Sequence, residues 1–249
     1  MTGIELPWTI FPLFFLVAAL YASAGQGGAS GYLALFALFG IASPAVPPIA
    51  LSLNIIAASL SFLAFRKGGH FSARMFAPFA VASVPAAFLG ALIPLSSSIF
   101  KWLLGLSLLA AAVLTYRSRF HERKKGPVRP GTLWAFGVSA GFLLGFLSGM
   151  IGLGGGVFLA PLILLAGWGD AKNAASLSSA FIIINSLSGL GGHILKGNFD
   201  LRTVLILAGA VIAGGAAGAA AGAGFIPERT LRIILAAILA AGALKMLIG

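Results

Sequence analysis

The chain contains no cysteine. Disulfides, thiolate metal sites and cysteine nucleophiles are therefore excluded. Acid is almost as scarce, with five Asp and Glu against sixteen Lys and Arg in 249 residues. All five, Glu5, Glu122, Asp170, Asp200 and Glu228, fall in or beside breaks between apolar runs. No mid-membrane carboxylate is expected to bind sodium or relay protons, which argues against a cation or metal carrier. The three histidines are too scattered for a metal site, and neither a Ser/His/Asp set nor a carboxylate pair is present. The sequence therefore implies no enzyme, no metal and no cofactor.

What fills the chain instead is apolar. Hydrophobic residues make up 59% and charged residues 8%, with a mean hydropathy of +1.06, far outside the range of soluble domains. The expected fold class is an all-α polytopic integral membrane protein. Its net charge of +11 sits between hydrophobic segments, where positive charge fixes orientation and meets anionic lipid, so the lipid bilayer rather than nucleic acid is the expected partner. No Lys or Arg precedes Arg66, so the N-terminus lacks the basic region of a signal peptide and the first helix is expected to be retained.

Apolar runs predict eight full spans, near 8–24, 46–65, 74–94, 97–116, 132–150, 173–195, 202–223 and 228–247. Two shorter pieces, about 31–42 and 155–167, each follow a glycine cluster and predict re-entrant or broken helices. The stretch YRSRFHERKKGPVRPG, Tyr116 to Gly131, reads as a basic cytoplasmic linker at 117–131 between a first transmembrane repeat, 1–116, and a second, 132–249. The basic loop RKGGHFSAR, Arg66 to Arg74, is placed on the same side. Lys196, Arg202, Arg229 and Arg232 read as loop charges on both sides and do not decide orientation.

The halves repeat. GQGGASGYLALF from Gly25 matches GLGGGVFLAPLI from Gly152, and ALSL from Ala50 matches AASL from Ala174. Duplicated segments with interrupted helices at corresponding positions mark a transporter whose site lies where the repeats meet. Five crossings per half make the repeats inverted and four make them parallel; the acid-only first segment favours inversion.

The run GFLSGMIGLGGGVFLAP, Gly145 to Pro161, places six glycines in an apolar segment. Two kinds of glycine are distinguishable. Gly137, Gly141, Gly145 and Gly149, and likewise Gly214, Gly218 and Gly222, recur every four residues and predict close helix packing. Gly25, Gly27 and Gly28, with Gly152, Gly154, Gly155 and Gly156, are too dense for a helix face and predict unwound backbone. Unwound backbone before a helix presents N–H groups at the positive end of the helix dipole, which suits an anion. Tight turns between packed helices are the plainer alternative. A dinucleotide fingerprint at Gly152, Gly154 and Gly155 with Asp170 fails, because a membrane-length run rather than a strand precedes it.

Polar side chains near these loops are Ser23, Gln26, Ser30, Asn54, Ser148, Ser176, Ser178, Ser179, Asn185 and Ser188. Each serine alone is explained by a bond to its own backbone, whereas buried amides need partners that a hydrated anion cavity would supply. The expected substrate-binding set is Ser23, Gly25, Gln26, Gly27, Gly28, Ser30, Asn54, Gly152, Gly154, Gly155, Gly156, Ser176 and Asn185. His193 is the one ionisable group placed to reach the pathway and couple protons, with a headgroup-facing helix end as the alternative.

The two loops SAGQGGASG and SGMIGLGGGVFLAP, with the duplicated architecture and the chain length, resemble the TauE/SafE sulfite exporter family. The second loop lies close to the family pattern; the first departs from it at Gln26, Ala29 and Ser30. The resemblance implies export of a small sulfur-containing anion, sulfite or an organosulfonate, across the inner membrane by alternating access. An anion channel, or a passive membrane component of a partner complex, is the alternative. A symmetric homodimer is the default oligomer.

Overall fold

The computed structural model describes residues 6–41, 45–118, 128–197, 199–221 and 227–248. It is all-helical there: α1 Ile10–Ser23, α2 Ala29–Leu38, α3 Val46–Lys67, α4 Ala73–Leu92, α5 Ser97–Ser118, α6 Pro130–Ile151, α7 Gly156–Leu165, α8 Ala171–Leu195, α9 Leu201–Ala221 and α10 Glu228–Ile248. The spans and the two short helices follow the order read from the sequence. Among the described residues, seven helices rather than the expected eight are long and apolar enough to cross a membrane. α1 is helical for only 14 residues, roughly 21 Å, because a turn from Pro7 precedes it and Gly25, at φ 72°, follows it. Glu5, Glu122, Gly222 and most of the 117–131 linker lie outside the described residues.

The described charges have local duties. Asp170 caps α8 by accepting from Asn173 N at 2.9 Å, and Asp200 accepts from Thr203 N at 3.1 Å and Thr203 Oγ1 at 2.7 Å at the start of α9. Arg202 and Arg229 belong to the first turns of α9 and α10, and Arg232 to the second turn of α10, rather than to loops. Lys196 donates to Ala91 O at 2.8 Å and Ile93 O at 3.1 Å, satisfying carbonyls at the end of α4.

Helix contacts recur on exchange of the halves. α4 packs on α6 as α9 packs on α1, α4 on α8 as α9 on α3, and α2 on α10 as α7 on α5. The equivalent helices also meet each other, α3 with α8 and α5 with α10. Both of these pairs run antiparallel. Gly105 lies against Met246 and Leu247 while Arg232 Nη1 reaches Ser118 O; Leu51 lies against Gly189 while Asn54 reaches Ser186.

The periodic glycines act as read. A Cβ at Gly141, Gly145 or Gly149 would overlap the carbonyls of Phe79, Ser83 and Ala87 on α4, and one at Gly214 or Gly218 those of Phe15 and Ala19 on α1. These seams bring backbone against backbone, where packing rather than hydrophobic transfer holds helices together in lipid. α2 and α7 are buried along almost their whole length, whereas α4, α5, α6, α9 and α10 expose large apolar side chains such as Leu89, Leu106, Leu143, Leu205 and Leu244. The broken backbone is therefore enclosed by protein, the condition under which a membrane tolerates it.

Candidate functional site

Each half folds back on itself at its glycine loop. After α1 the chain unwinds over Ala24–Gly28, with Gly25 and Gly28 at φ 72° and 102°, and α2 returns along α1 so that Gly31 meets Val17 and Tyr21. After α6 it unwinds over Gly152–Gly155, with Gly152, Gly154 and Gly155 at φ 81°, 71° and 75°, and α7 returns along α8. L-residues strongly disfavour this left-handed region, which accounts for glycine at these points.

Asn54, in the middle of α3, is wedged between the two loops. A Cβ on Gly27 would overlap its Oδ1, and one on Gly154 would overlap its Nδ2. Its Oδ1 accepts from Ala29 N at 3.0 Å, and its Nδ2 donates to Ser186 Oγ on α8 at 3.0 Å. Gly28, the N-cap of α2, has no side chain to offer, so Asn54 supplies from another helix the acceptor that an N-cap side chain normally supplies, an interaction of about 1 kcal/mol. Among the described residues, the N–H groups of Gly27, Gly28, Ser30, Gly154, Gly155 and Gly156 find no backbone acceptor. The Asn54 amide oxygen thus occupies a position of the kind that an oxyanion oxygen suits, at a helix N-terminus lined by N–H donors.

The other expected site residues are arranged around this wedge. Gly25 packs on Ala175, Gly152 on Pro47, Gly155 on Phe181 and Gly156 on Ile182. Ser23 Oγ donates to Leu20 O at 2.8 Å, the plain intrahelical bond, while Ser30 Oγ donates to Tyr21 Oη at 3.1 Å. Gln26 is buried, and its backbone oxygen accepts from Ser61 Oγ at 3.2 Å. Asn185 Nδ2 donates to Phe181 O at 2.8 Å; among the described residues its Oδ1 has no partner, nor do the buried hydroxyls of Ser148, Ser176 and Ser178. His193 Nε2 donates to Gly149 O at 2.9 Å, three residues before the second loop, and its Nδ1 is unpartnered.

Gly27, Asn54 and Gly154 are therefore brought together, whereas Ser176, Asn185 and His193 are strung along α8. From Ser176 to His193 that helix rises roughly 25 Å at about 1.5 Å per residue, too far for one small ligand to touch both. Ser186, the partner of Asn54, was not among the expected residues. Its signal was faint, because α8 carries several serines and only a fold shows which one faces α3.

A bundle of membrane-length apolar helices enclosing two broken helices that meet at a buried amide has the architecture of a membrane transporter. The chain belongs to the Sulfite exporter TauE/SafE family, which it matches over residues 10–246. It is 37% identical over 236 residues to the probable membrane transporter protein y4hK of Sinorhizobium fredii, covering 94% of this chain and 95% of that one. The probable membrane transporter protein MJ0441 of Methanocaldococcus jannaschii is 31% identical over 163 residues, 62% of this chain and 59% of that one. No solved structure matches the chain.

Proposed function

We propose that this chain exports a small sulfur oxyanion, sulfite or an organosulfonate, across the inner membrane by alternating access between two inverted repeats. The antiparallel course of α3 against α8 and of α5 against α10 supports inversion, since a two-fold axis in the membrane plane reverses each helix it exchanges. With the cell interior negative, an anion leaving gains about 2.3 kcal/mol per charge per 100 mV, enough to bias transport outward without a second ion.

The observation that carries the reading is the Asn54 wedge. Its amide oxygen holds the Ala29 N–H, and its amide nitrogen holds Ser186 across the α3–α8 crossing. An arriving oxyanion competes for the N–H donors of the two loops, frees Asn54 to turn, and so loosens the contact between the halves. His193, bonded to the carbonyl of Gly149, links α8 to the same hinge and is the group through which a proton would couple.

The test is thermal stabilisation of the purified protein by sulfite, sulfate, thiosulfate, sulfoacetate, taurine, lactate and chloride at matched ionic strength. A ligand that binds the folded state raises its melting temperature in a concentration-dependent way. Selective stabilisation by a sulfur oxyanion or sulfonate is expected; equal behaviour of every anion would overturn the reading.

A further inference from the structure

A cavity of about 50 Å³ lies beside the first glycine loop, where the ends of α1, α3, α5, α8 and α10 gather. Ser23, Gln26, Thr115, Lys172 and Arg232 line it, with apolar walls from α7 and α10. A water needs about 10–15 Å³ of such space, so the cavity holds several waters. Phe65 closes it from the end of α3, next to the basic loop Arg66–Arg74, and Ser118 closes it from the end of α5, where the basic linker begins.

Four features give it one chemistry. Lys172 is exposed and stands at its mouth. Arg232 is held at the wall, donating from Nη1 to Ser118 O at 2.8 Å and to Ser118 Oγ at 3.3 Å. Thr115, only 3% exposed, has a hydroxyl with no partner among the described residues. Ala171 and Leu231 bring the first turns of α8 and α10 to the cavity, the former already capped by Asp170. Among the described residues that line it, none is acidic.

The repeat sharpens this. In the alignment set by Gly25 with Gly152 and Ala50 with Ala174, Gln26 corresponds to Leu153 and Lys172 to Pro48. The polar and cationic lining belongs to one side of the pseudo-symmetric pair, the side carrying the concentrated basic loops.

We infer that this cavity is the cytoplasmic entry site for the anion, a vestibule in which Lys172 and Arg232 select negative charge, Thr115 donates a hydrogen bond, and Gln26 passes the ion to the first glycine loop. The inference deepens the export reading and rests on it for direction. It assigns the loading step chiefly to Thr115, Lys172 and Arg232, which lie outside the glycine loops, and its ligand class is a small oxyanion or sulfonate.

Because the chain lacks cysteine, Thr115→Cys places a single thiol in the vestibule of the otherwise unaltered protein. Its labelling is measured in membrane vesicles of both orientations with an anionic reagent, sulfonatoethyl methanethiosulfonate, and a cationic one, its trimethylammonioethyl analogue. Each rate is normalised to that of a small free thiol. The anionic reagent should be favoured several-fold, only from the face that carries the basic loops, and sulfoacetate should slow it. Adding Lys172→Gln should abolish most of that preference. Equal or cation-favoured labelling, access from the opposite face, or a preference indifferent to Lys172→Gln would overturn the vestibule. Ser23→Cys, on the same cavity, serves if Thr115→Cys does not fold. Flux of sulfite and sulfoacetate through the wild-type protein separates the two readings. Flux without charge-selective labelling removes the vestibule alone, and charge-selective labelling without flux removes the export reading while leaving the anion site.

Discussion

Asn54 Nδ2 donates to Ser186 Oγ across 3.0 Å, joining residues 132 positions apart and tying the first half of the chain to the second at the level of both glycine loops. The same amide accepts from Ala29 N. One side chain therefore controls a helix N-terminus and a contact between halves, so different substitutions separate its effect on stability from its effect on binding.

Asn54→Leu leaves the Ala29 N–H and the Ser186 hydroxyl buried without partners, at about 1–3 kcal/mol each. The melting temperature should fall and transport should be lost. Asn54→Asp keeps an acceptor for Ala29 and one for the Ser186 hydroxyl but adds negative charge. It should fold, while losing stabilisation by sulfur anions. Undiminished anion stabilisation in Asn54→Asp would remove this residue from the binding site.

Gly154→Ala and Gly40→Ala separate backbone strain from site geometry. Both glycines have positive φ, 71° and 70°, but a Cβ at Gly154 overlaps Asn54 whereas one at Gly40 meets nothing. Each should cost about 1–2 kcal/mol from the left-handed backbone. Only Gly154→Ala should also stop flux in protein that still reaches the membrane. Equal flux in the two variants would show that the loop is a turn and nothing more.

The glycine seams should be intolerant because their neighbours are main-chain atoms. Gly145→Leu meets Ser83 O and Gly218→Leu meets Ala19 O, neither of which moves without moving a helix. Both variants should give little folded protein by size-exclusion profile in detergent. Gly209→Ala, with nothing near its Cβ, should gain up to about 1 kcal/mol of helix propensity.

His193→Gln retains a donor for Gly149 O but cannot take up a proton. Anion exchange should persist while flux driven by a pH gradient disappears. A pH-driven flux equal to wild type would limit His193 to holding the hinge.

The glycine spacing was enough to locate both unwound loops and both packing seams, because helix-breaking density and a four-residue period are local properties of the chain. The two short helices were equally legible from length. The partner of Asn54 was not, since a hydrogen bond between α3 and α8 depends on how two distant helices cross, and the serines of α8 are indistinguishable in sequence. Lys172 and Arg232 were hidden for a related reason. Each reads as an ordinary charge near a helix start, and only the approach of α5, α8 and α10 makes them neighbours of one cavity. Ser176, Asn185 and His193 were grouped by type, while the rise of a single helix spreads them across the membrane.

The most direct test of the account is counterflow in proteoliposomes loaded with unlabelled sulfoacetate or sulfite and diluted into a trace of the labelled anion. Alternating access between the repeats should give a transient, saturable accumulation of label above equilibrium, absent in Gly154→Ala. Passive equilibration with no overshoot, at a rate linear in concentration, would contradict a carrier built around the Asn54 wedge and indicate a channel.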